Sequence, residues 1–577
     1  MRRWTMALVV LAAACPTARA AGSRAEAAIA AAIRGARNDA DRAVKLLAAG
    51  KAATDDDVAA ALLAEAVERG LRAHRATRAV QAAAAALDLL DTKSPRTRPE
   101  RRDKRLAVRR LTYRHAPRKD KKTAGLDLLE ALQVSAESAE SAGQWTAAKE
   151  LHREGYSVAY FLRSPLADLL AFRRVRATHF ETVAREAKTT SKLLAAGRAD
   201  AAAREKLLEM LVIELNDLPA AKAPAGESAN QMWRTYLPLA GRDPATLSAS
   251  AAGELARWYH EFLAPKASKF SQLRLLLAAR ACCRRAVEVH KADDAQRQAL
   301  RKRLSAVEEQ LVAYAMSPTA GGRGADVNLL RSIDPDRVMR EGVWDSASGR
   351  LTTWPRRESY LRLPATVTGN YRLRLRFINR NHIPLPDRFR KFNRLRVSDK
   401  RKIWFKRLLE ATPGVNVALP VGDRHVALSV LPGRGKTRGI LAIVEPLVDE
   451  DDEDGDDPAQ PATTQADNQI PNDAGPSLAE TVTVEGPYIA REKVHQLDIA
   501  VFVELGVATI VVNLDEKPLI RWEGDSSRLV LDDIWPARVD RGSILLGGWR
   551  GPTAFNTAKV CNFSGQTAID RPDKPQP

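Results

Sequence analysis

Carboxylates beside a tryptophan are the residue types that bind and cleave sugars. The stretch NLDEKPLIRWEGD (Asn513 to Asp525) has Asp515, Glu516, Glu523 and Asp525 around Trp522. Cleaving a glycosidic bond takes two carboxylates facing each other across the sugar, roughly 5 Å apart for retention and roughly 6.5–9.5 Å for inversion. Strand residues two apart share a face, so a catalytic strand would read E-x-D-x-E. No strand-like run in this chain has that spacing. Asp515 and Glu516 fall between ATIVVNL and PLIRW, and Glu523 and Asp525 fall just after PLIRW. Carboxylates at such positions accept backbone N–H bonds and stay solvated. The stretch is predicted to be a hairpin with a charged turn. Trp522, in register with Ile520, is predicted to pack on the sheet or on the adjoining helices. No catalytic residue is assigned.

Two other tryptophans lie in or next to loops, Trp535 in LDDIWPARVD and Trp549 in GGWRGP. Either ring suits stacking on a sugar, with Arg550 and Asp533 supplying hydrogen bonds; the alternative is packing at the rim. VGDRHVAL places Asp423, Arg424 and His425 at a tight turn joining two strand-like runs. A hairpin turn is preferred there over a polar contact site. The run Asp449 to Asp457 (DEDDEDGDD) lacks the glutamate that closes a calcium loop and reads as a solvated tether, so no metal is assigned. No residue pattern calls for a cofactor.

Lys and Arg number 91 against 71 Asp and Glu, a formal net charge of +20. Most of this charge is scattered along helices among acidic residues. No zinc-finger, RNP or basic-zipper pattern accompanies it, so nucleic acid is not expected as a partner. The segment Asn379 to Pro413 is different. It concentrates Arg388, Arg390, Lys391, Arg394, Lys400, Arg401 and Lys402 beside Phe389, Phe392, Trp404 and Phe405, a candidate contact for a polyanion. The acidic run is expected to neutralise this insertion locally, since exposed charges act over about 8 Å at physiological salt.

The start of the chain reads MRRWTMALVVLAAACPTARAAGS. Two arginines, a short apolar run and Ala18-Arg19-Ala20 form a signal peptide, with cleavage expected after Ala20. The protein is therefore expected to be exported, to the periplasm or beyond. Cys15 follows three alanines rather than the leucine of a lipobox, which argues against a lipid anchor. No later run reaches the roughly 18 apolar residues a membrane span needs. Cys282, Cys283 and Cys561 would remain after cleavage, too few for a disulfide framework, and read as buried small apolar residues.

These residues must be positioned by two kinds of architecture. From 23 to 316 apolar residues recur at helical spacing, as in DDDVAAALLAEAVERG (Asp55 to Gly70), with Asp55 and Asp293 where N-caps belong. AAGK, SAGQWTAA and AAGRADAA each predict a helix end, a turn at Gly50, Gly143 or Gly197, and a new alanine-rich helix. This is the grammar of tetratricopeptide-like hairpins without a fixed period. The basic segment Thr92 to Lys122 is expected to be a solvated linker with one short helix, dividing the array into two sub-bundles. Residues 317–327 read as a flexible joint. Beyond it, YRLRLRF, VNVALPV, RHVALSVL, GILAIVE, HQLDIAVFVEL, ATIVVNL, PLIRW and SILLGG alternate as short strands. The fold class is α+β multidomain: an N-terminal all-α helical array followed by an antiparallel β-sandwich of jelly-roll type over 328–563. The sandwich is expected to carry the basic insertion at 379–413 and an acidic, disordered one at 448–476, and a tail follows at 564–577.

IDPDRVMREGVWDSASGRL, HQLDIAVFVELGVATIVVNLDEKPLIRWEGD and GSILLGGWRGPTAFNTAKV together resemble the concanavalin-A-like or laminin-G-like sandwich of exported bacterial proteins, including those related to the 3-keto-disaccharide hydrolase domain. NLDEKPLIRW is similar to that family's L-D-G-K-x-L-x-x-W hairpin, with Glu516 in place of the glycine. The resemblance implies the sandwich fold, and because no strand carries a facing carboxylate pair the expected role is binding a carbohydrate or a cell-envelope protein without catalysis. It leaves open a glycoside hydrolase or lyase, and a scaffold whose helices bind other proteins.

Overall fold

A computed structural model of the chain describes residues 16–93, 100–292 and 294–316. From 326 to 569 it describes all but 334–337, 339, 343, 348–349, 354–358, 381–413, 433–435, 444–480, 505, 532–534, 537–538, 550–551 and 564–566. The basic insertion, the acidic run, Cys15 and Asp293 therefore lie outside the described residues. The chain divides into two compact units, residues 1–182 and 183–577.

Alanine governs the first unit. It contains helices α1 (Pro16–Ala32), α2 (Asp39–Ala52), α3 (Asp56–Arg72), α4 (Thr77–Lys93), α5 (Arg102–His115), α6 (Lys121–Ser141) and α7 (Trp145–Phe161), and most of α8 (Leu166–Ala195). On α3, Ala59, Leu62, Leu63, Ala66, Val67 and Gly70 form one buried stripe, the three- and four-residue recurrence of a core-facing helix. As expected, Asp55 caps α3, accepting from the N–H groups of Asp57 and Val58. Gly143 and Gly197 turn the chain at φ 67° and 66°. Gly50 does not turn it. It sits buried inside α2, where a Cβ would meet Leu63 Cγ at 2.8 Å, so the glycine serves close helix approach. The segment 100–122 is not a linker either. Arg101 and Arg105 both pair with Asp91, Arg109 pairs with Asp88 and Asp127, and Leu106 and Val108 are buried. Its arginines are held by acidic partners on α4 and α6.

The second unit opens with α9 (Ala201–Glu209), α10 (Leu218–Gly226), α11 (Gln231–Ala240), α12 (Ala249–Arg257), α13 (Gln272–Val289) and α14 (Ala295–Met316). Two of these helices run into π-turns, Met210–Glu214 and Trp258–Leu263. A π-turn leaves helical carbonyls without their usual donors. In the first of them Arg274 fills the gap, donating to the carbonyls of Val212 and Ile213 at 3.2 and 2.6 Å. Cys282 and Cys283 on α13, and Cys561, are buried, and burial pushes their thiols up to about 12.

The strands are β1 (Val327–Asn328), β2 (Arg340–Glu341), β3 (Trp344–Ala347), β4 (Arg350–Thr353), β5 (Ser359–Val367), β6 (Tyr371–Asn379), β7 (Gly414–Val421), β8 (Arg424–Pro432), β9 (Thr437–Ala442), β10 (Thr481–Gly486), β11 (Val494–Glu504), β12 (Val507–Leu514), β13 (Lys517–Asp525), β14 (Ser543–Trp549), β15 (Thr553–Asn562) and β16 (Thr567–Ile569). They form two antiparallel sheets. The first has the order β13-β12-β11-β6-β15-β4-β3 with β1 on β15. The second runs β10-β9-β8-β7-β14-β5-β16 with β2 on β5. Alternation decides the faces. Leu373, Leu375, Phe377, Ile499 and Val501 of the first sheet, and Val415, Val417, Leu419, Val426 and Leu428 of the second, are fully buried. Tyr371 donates across the core to the carbonyl of Pro420 at 2.9 Å. The other face of the first sheet is not free: Ala500, Phe502 and Val511 join one core cluster with Leu275, Leu276 and Ala279 of α13. Among the described residues, no helix is long and apolar enough to cross a membrane.

Candidate functional site

Hydrogen-bonding capacity without a partner is found on the outer face of the second sheet. Leu545, Ala418 and Ala427 stand side by side on β14, β7 and β8, and with Ala442, Val530 and Leu531 they pack around Trp535. One step along, Gly547 pairs with Asn416 on one side and Tyr360 on the other. A Cβ on Gly547 would lie 3.0 Å from the Ser359 carbonyl, 3.1 Å from Asn416 Cβ and 3.3 Å from Trp535 Cη2. Glycine there lets the indole and the Asn416 side chain come down onto the strand. The Tyr360 and Trp535 rings are 6.3 Å apart and tilted by 43°. Trp535 is 6% exposed, so its ring is a wall and not an open stacking surface. Its Nε1 and the Oδ1 of Asn416 are both buried with no hydrogen-bond partner among the described residues. Buried polar groups are almost always satisfied, so each of these two atoms calls for an explanation, a water or a ligand among them. Trp549 ends β14 opposite Gly414. Its side chain, Arg550 and Asp533 lie outside the described residues, as do the seven basic candidates named in the insertion.

The predicted hairpins are present. Asp423 and Gly422 turn β7 into β8, and His425 Nε2 lies 3.0 Å from the Ser543 carbonyl. Asp515 and Glu516 turn β12 into β13 with φ 50° and 66°, the left-handed pair that suits two-residue hairpins. Asp515 is held there by Gln496 N–H at 2.8 Å and His495 Nδ1 at 2.7 Å. Asp525 accepts from Ser527 N–H.

Glu523 departs from the expectation. It lies within β13, on the face that meets helices, and although exposed it is ion-paired. Arg284 Nη2 pairs with it at 2.7 Å and reaches Glu308 of α14 at 3.6 Å. Arg521 pairs with Glu308 at 2.7 Å. Arg280, 1% exposed, donates to Thr509 Oγ1 and stands 3.8 Å from Glu308. Glu504 at the end of β11 completes a cluster of three carboxylates and three arginines. Burial, then the shared proton with Glu523, raises Glu308 above the usual carboxylate range. Burial raises Glu504 as well. Burial pushes Glu523 up too, but the hydrogen bond to Glu308 and the charges of Arg284 and Arg280 outweigh it, and Glu523 sits below its ordinary value. Arg284 bridges Glu523 and Glu308, so a cation and not a sugar ring lies between the two carboxyls. The cluster joins helix to sheet; it is not a cleaving pair.

Linkage gives this cluster a pH signature. Glu308 and Glu504 bind protons more tightly folded than unfolded. Their contribution is complete below the unfolded-state value and is lost as pH rises through their raised folded values. Glu308→Gln, a permanent mimic of the protonated acid, is expected to flatten the fall in thermal stability between mildly acidic pH and pH 8. At the steepest point the difference in slope is at most about 1.4 kcal/mol per pH unit. Parallel pH profiles for the two proteins would show that Glu308 is ionised throughout.

The cluster escaped sequence reading because its members lie on four elements separated by more than two hundred residues. Arg521 and Glu523, alternating on a strand, were its only local trace: two charges on one face mean either solvent or a charged partner.

No family model and no curated protein matches the chain. Among solved structures it is similar to an endo-1,3-beta-glucanase from Streptomyces sioyaensis, at 11% identity over 39% of this chain and 77% of that one, with a TM-score of 0.21. It is also similar to a legume lectin-like domain from Entamoeba histolytica, at 9% identity over 42% and 97%, TM-score 0.22. Lectin I-B4 from Griffonia simplicifolia matches at 8% identity over 42% and 99%, TM-score 0.22. With scores this low, the sandwich is established by its own strand pairing.

Proposed function

We propose that the chain is an exported, non-catalytic binding protein whose concanavalin-A-like sandwich takes a carbohydrate on the outer face of the second sheet. The observation that carries the reading is the unpartnered donor and acceptor, Trp535 Nε1 and Asn416 Oδ1, beside the glycine floor of Gly547. A sugar hydroxyl both accepts and donates, so neighbouring hydroxyls satisfy both atoms. The sequence resemblance to sandwiches of exported bacterial proteins points the same way, as does the signal pattern before Ala20. The non-catalytic reading is supported by where the described carboxylates are. Among the described residues those that converge do so beneath helices, with arginines between them.

The test is an array of neutral oligosaccharides followed by calorimetry on the hits. Trp535→Phe keeps the ring and removes the N–H; Asn416→Ala removes the acceptor. Each is expected to weaken binding about tenfold, one hydrogen bond's worth. Binding that neither substitution alters would place the ligand elsewhere. Release of reducing ends from a bound glycan would replace this reading with a hydrolase. A sandwich that retains only an envelope protein would make that protein the ligand.

A further inference from the structure

The first unit carries a feature that saccharide binding does not use. Tyr160 and Phe161, the last residues of α7, are 70% and 68% exposed, and Val175 on α8 is 53% exposed. Residues 153, 156 and 160 share one face of α7. Tyr156 and Tyr160 bring their ring centroids to 6.0 Å, and the Arg174 guanidinium lies 5.7 Å from the Tyr156 centroid. Large aromatic side chains left this open are unusual on a soluble surface and mark interaction sites. The corner is also rigid. Arg163 takes φ 53°, and Arg163 N–H and Ser164 N–H donate to the carbonyls of Tyr160 and Ala159 at 3.1 and 2.8 Å. Such a pinned left-handed helix end holds the rings in place before any partner arrives.

We propose that this face, where α7 turns into α8, docks an acidic peptide segment of a partner protein that alternates carboxylates with apolar side chains. Charge selects the partner. Arg174 lies against the Tyr156 ring and Arg163 follows Phe161 by two residues, while Arg153, one turn before Tyr156, is already paired with Glu150 at 2.5 Å. Glu154 is engaged by Arg110. A second copy of the chain is disfavoured, because a two-fold contact through this patch sets arginines against arginines. A nucleic-acid strand wants a basic track along its backbone; here a few arginines stand beside an apolar centre.

The probe is a short fluorescein-labelled peptide alternating Glu with Leu and Phe, titrated with the full chain by anisotropy. Saturable binding is expected. It should weaken at least about tenfold in Tyr160→Ala/Phe161→Ala. It should also weaken between about 0.1 and about 1 M salt, as the screening length falls from roughly 10 to roughly 3 Å. Arg174→Glu, which leaves the apolar side chains in place, is expected to lose binding as well. Because these side chains are exposed, the variants should keep the thermal midpoint of the parent, and Val44→Ala, elsewhere on the unit, should keep its affinity. Four results would overturn the proposal: no saturable binding, equal affinity in the double variant, an oligonucleotide of the same charge competing as well as the peptide, or concentration-dependent self-association abolished by the double variant.

Discussion

Arg280→Ala is expected to destabilise the second unit by about 3–5 kcal/mol, the usual result of removing one partner from a buried ionic network. Arg280 is fully enclosed between α13 and the first sheet. Burial pulls its pKa down, and the nearby Arg284 adds to this, while Glu504, Glu523 and Glu308 oppose it. Without it, those three carboxylates retain, among the described residues, Arg284 and Arg521, and Thr509 loses one of its two arginine donors. Two tests separate charge from lost packing. Arg280→Met restores most of the volume and should recover little. Adding Glu504→Gln to Arg280→Met should recover part of the loss, because one carboxylate no longer needs a cation. Urea unfolding followed by tryptophan fluorescence measures all three. Additive effects of positions 280 and 504 would mean that the charges act independently.

Trp258→Ala is expected to cost the same unit about 3–5 kcal/mol, the range for emptying a large aromatic site in a packed core. Trp258 is 1% exposed at the start of a π-turn. Its ring meets Trp233 edge-on at 5.6 Å, stacks on Tyr236 at 5.6 Å and touches Tyr259 at 5.4 Å. Trp233 is itself tied to Glu205 through its indole N–H at 2.7 Å. Removing Trp258 therefore frees three rings at once. Trp258→Phe, which keeps an aromatic surface, should lose less than half as much. A small loss for Trp258→Ala would mean that the neighbours collapse into the space.

Period was the legible part of this chain. The helical stripe of α3 and the alternation of β6, β7, β8, β11, β12 and β14 could be read directly, because each presents one apolar face or buries two. β5 was missed: SYLRLPATV carries a proline and an arginine, yet Arg362 is buried because Ser543 accepts from it at 2.8 Å and Asp540 pairs with it. Gly50 was misread as a turn because glycine signals both a turn and a close approach, and only Leu63 across the interface decides between them. The basic run from Arg101 to Arg109 was misread as solvated for the same reason: its acidic partners lie on other helices. The candidate site was half legible. Trp535 could be picked from its loop. Asn416 and Gly547 could not, since an asparagine and a glycine inside apolar strands gain meaning only when register sets them beside the indole.

The most direct measurement is the ¹⁵N–¹H resonance of the Trp535 indole in the full chain, followed as oligosaccharides selected on the array are added. The account predicts a saturable shift of that one resonance, lost in Asn416→Ala at the same ligand concentration, with no new reducing ends after prolonged incubation. A ligand that binds without moving the Trp535 resonance, or that is cut while bound, would contradict it.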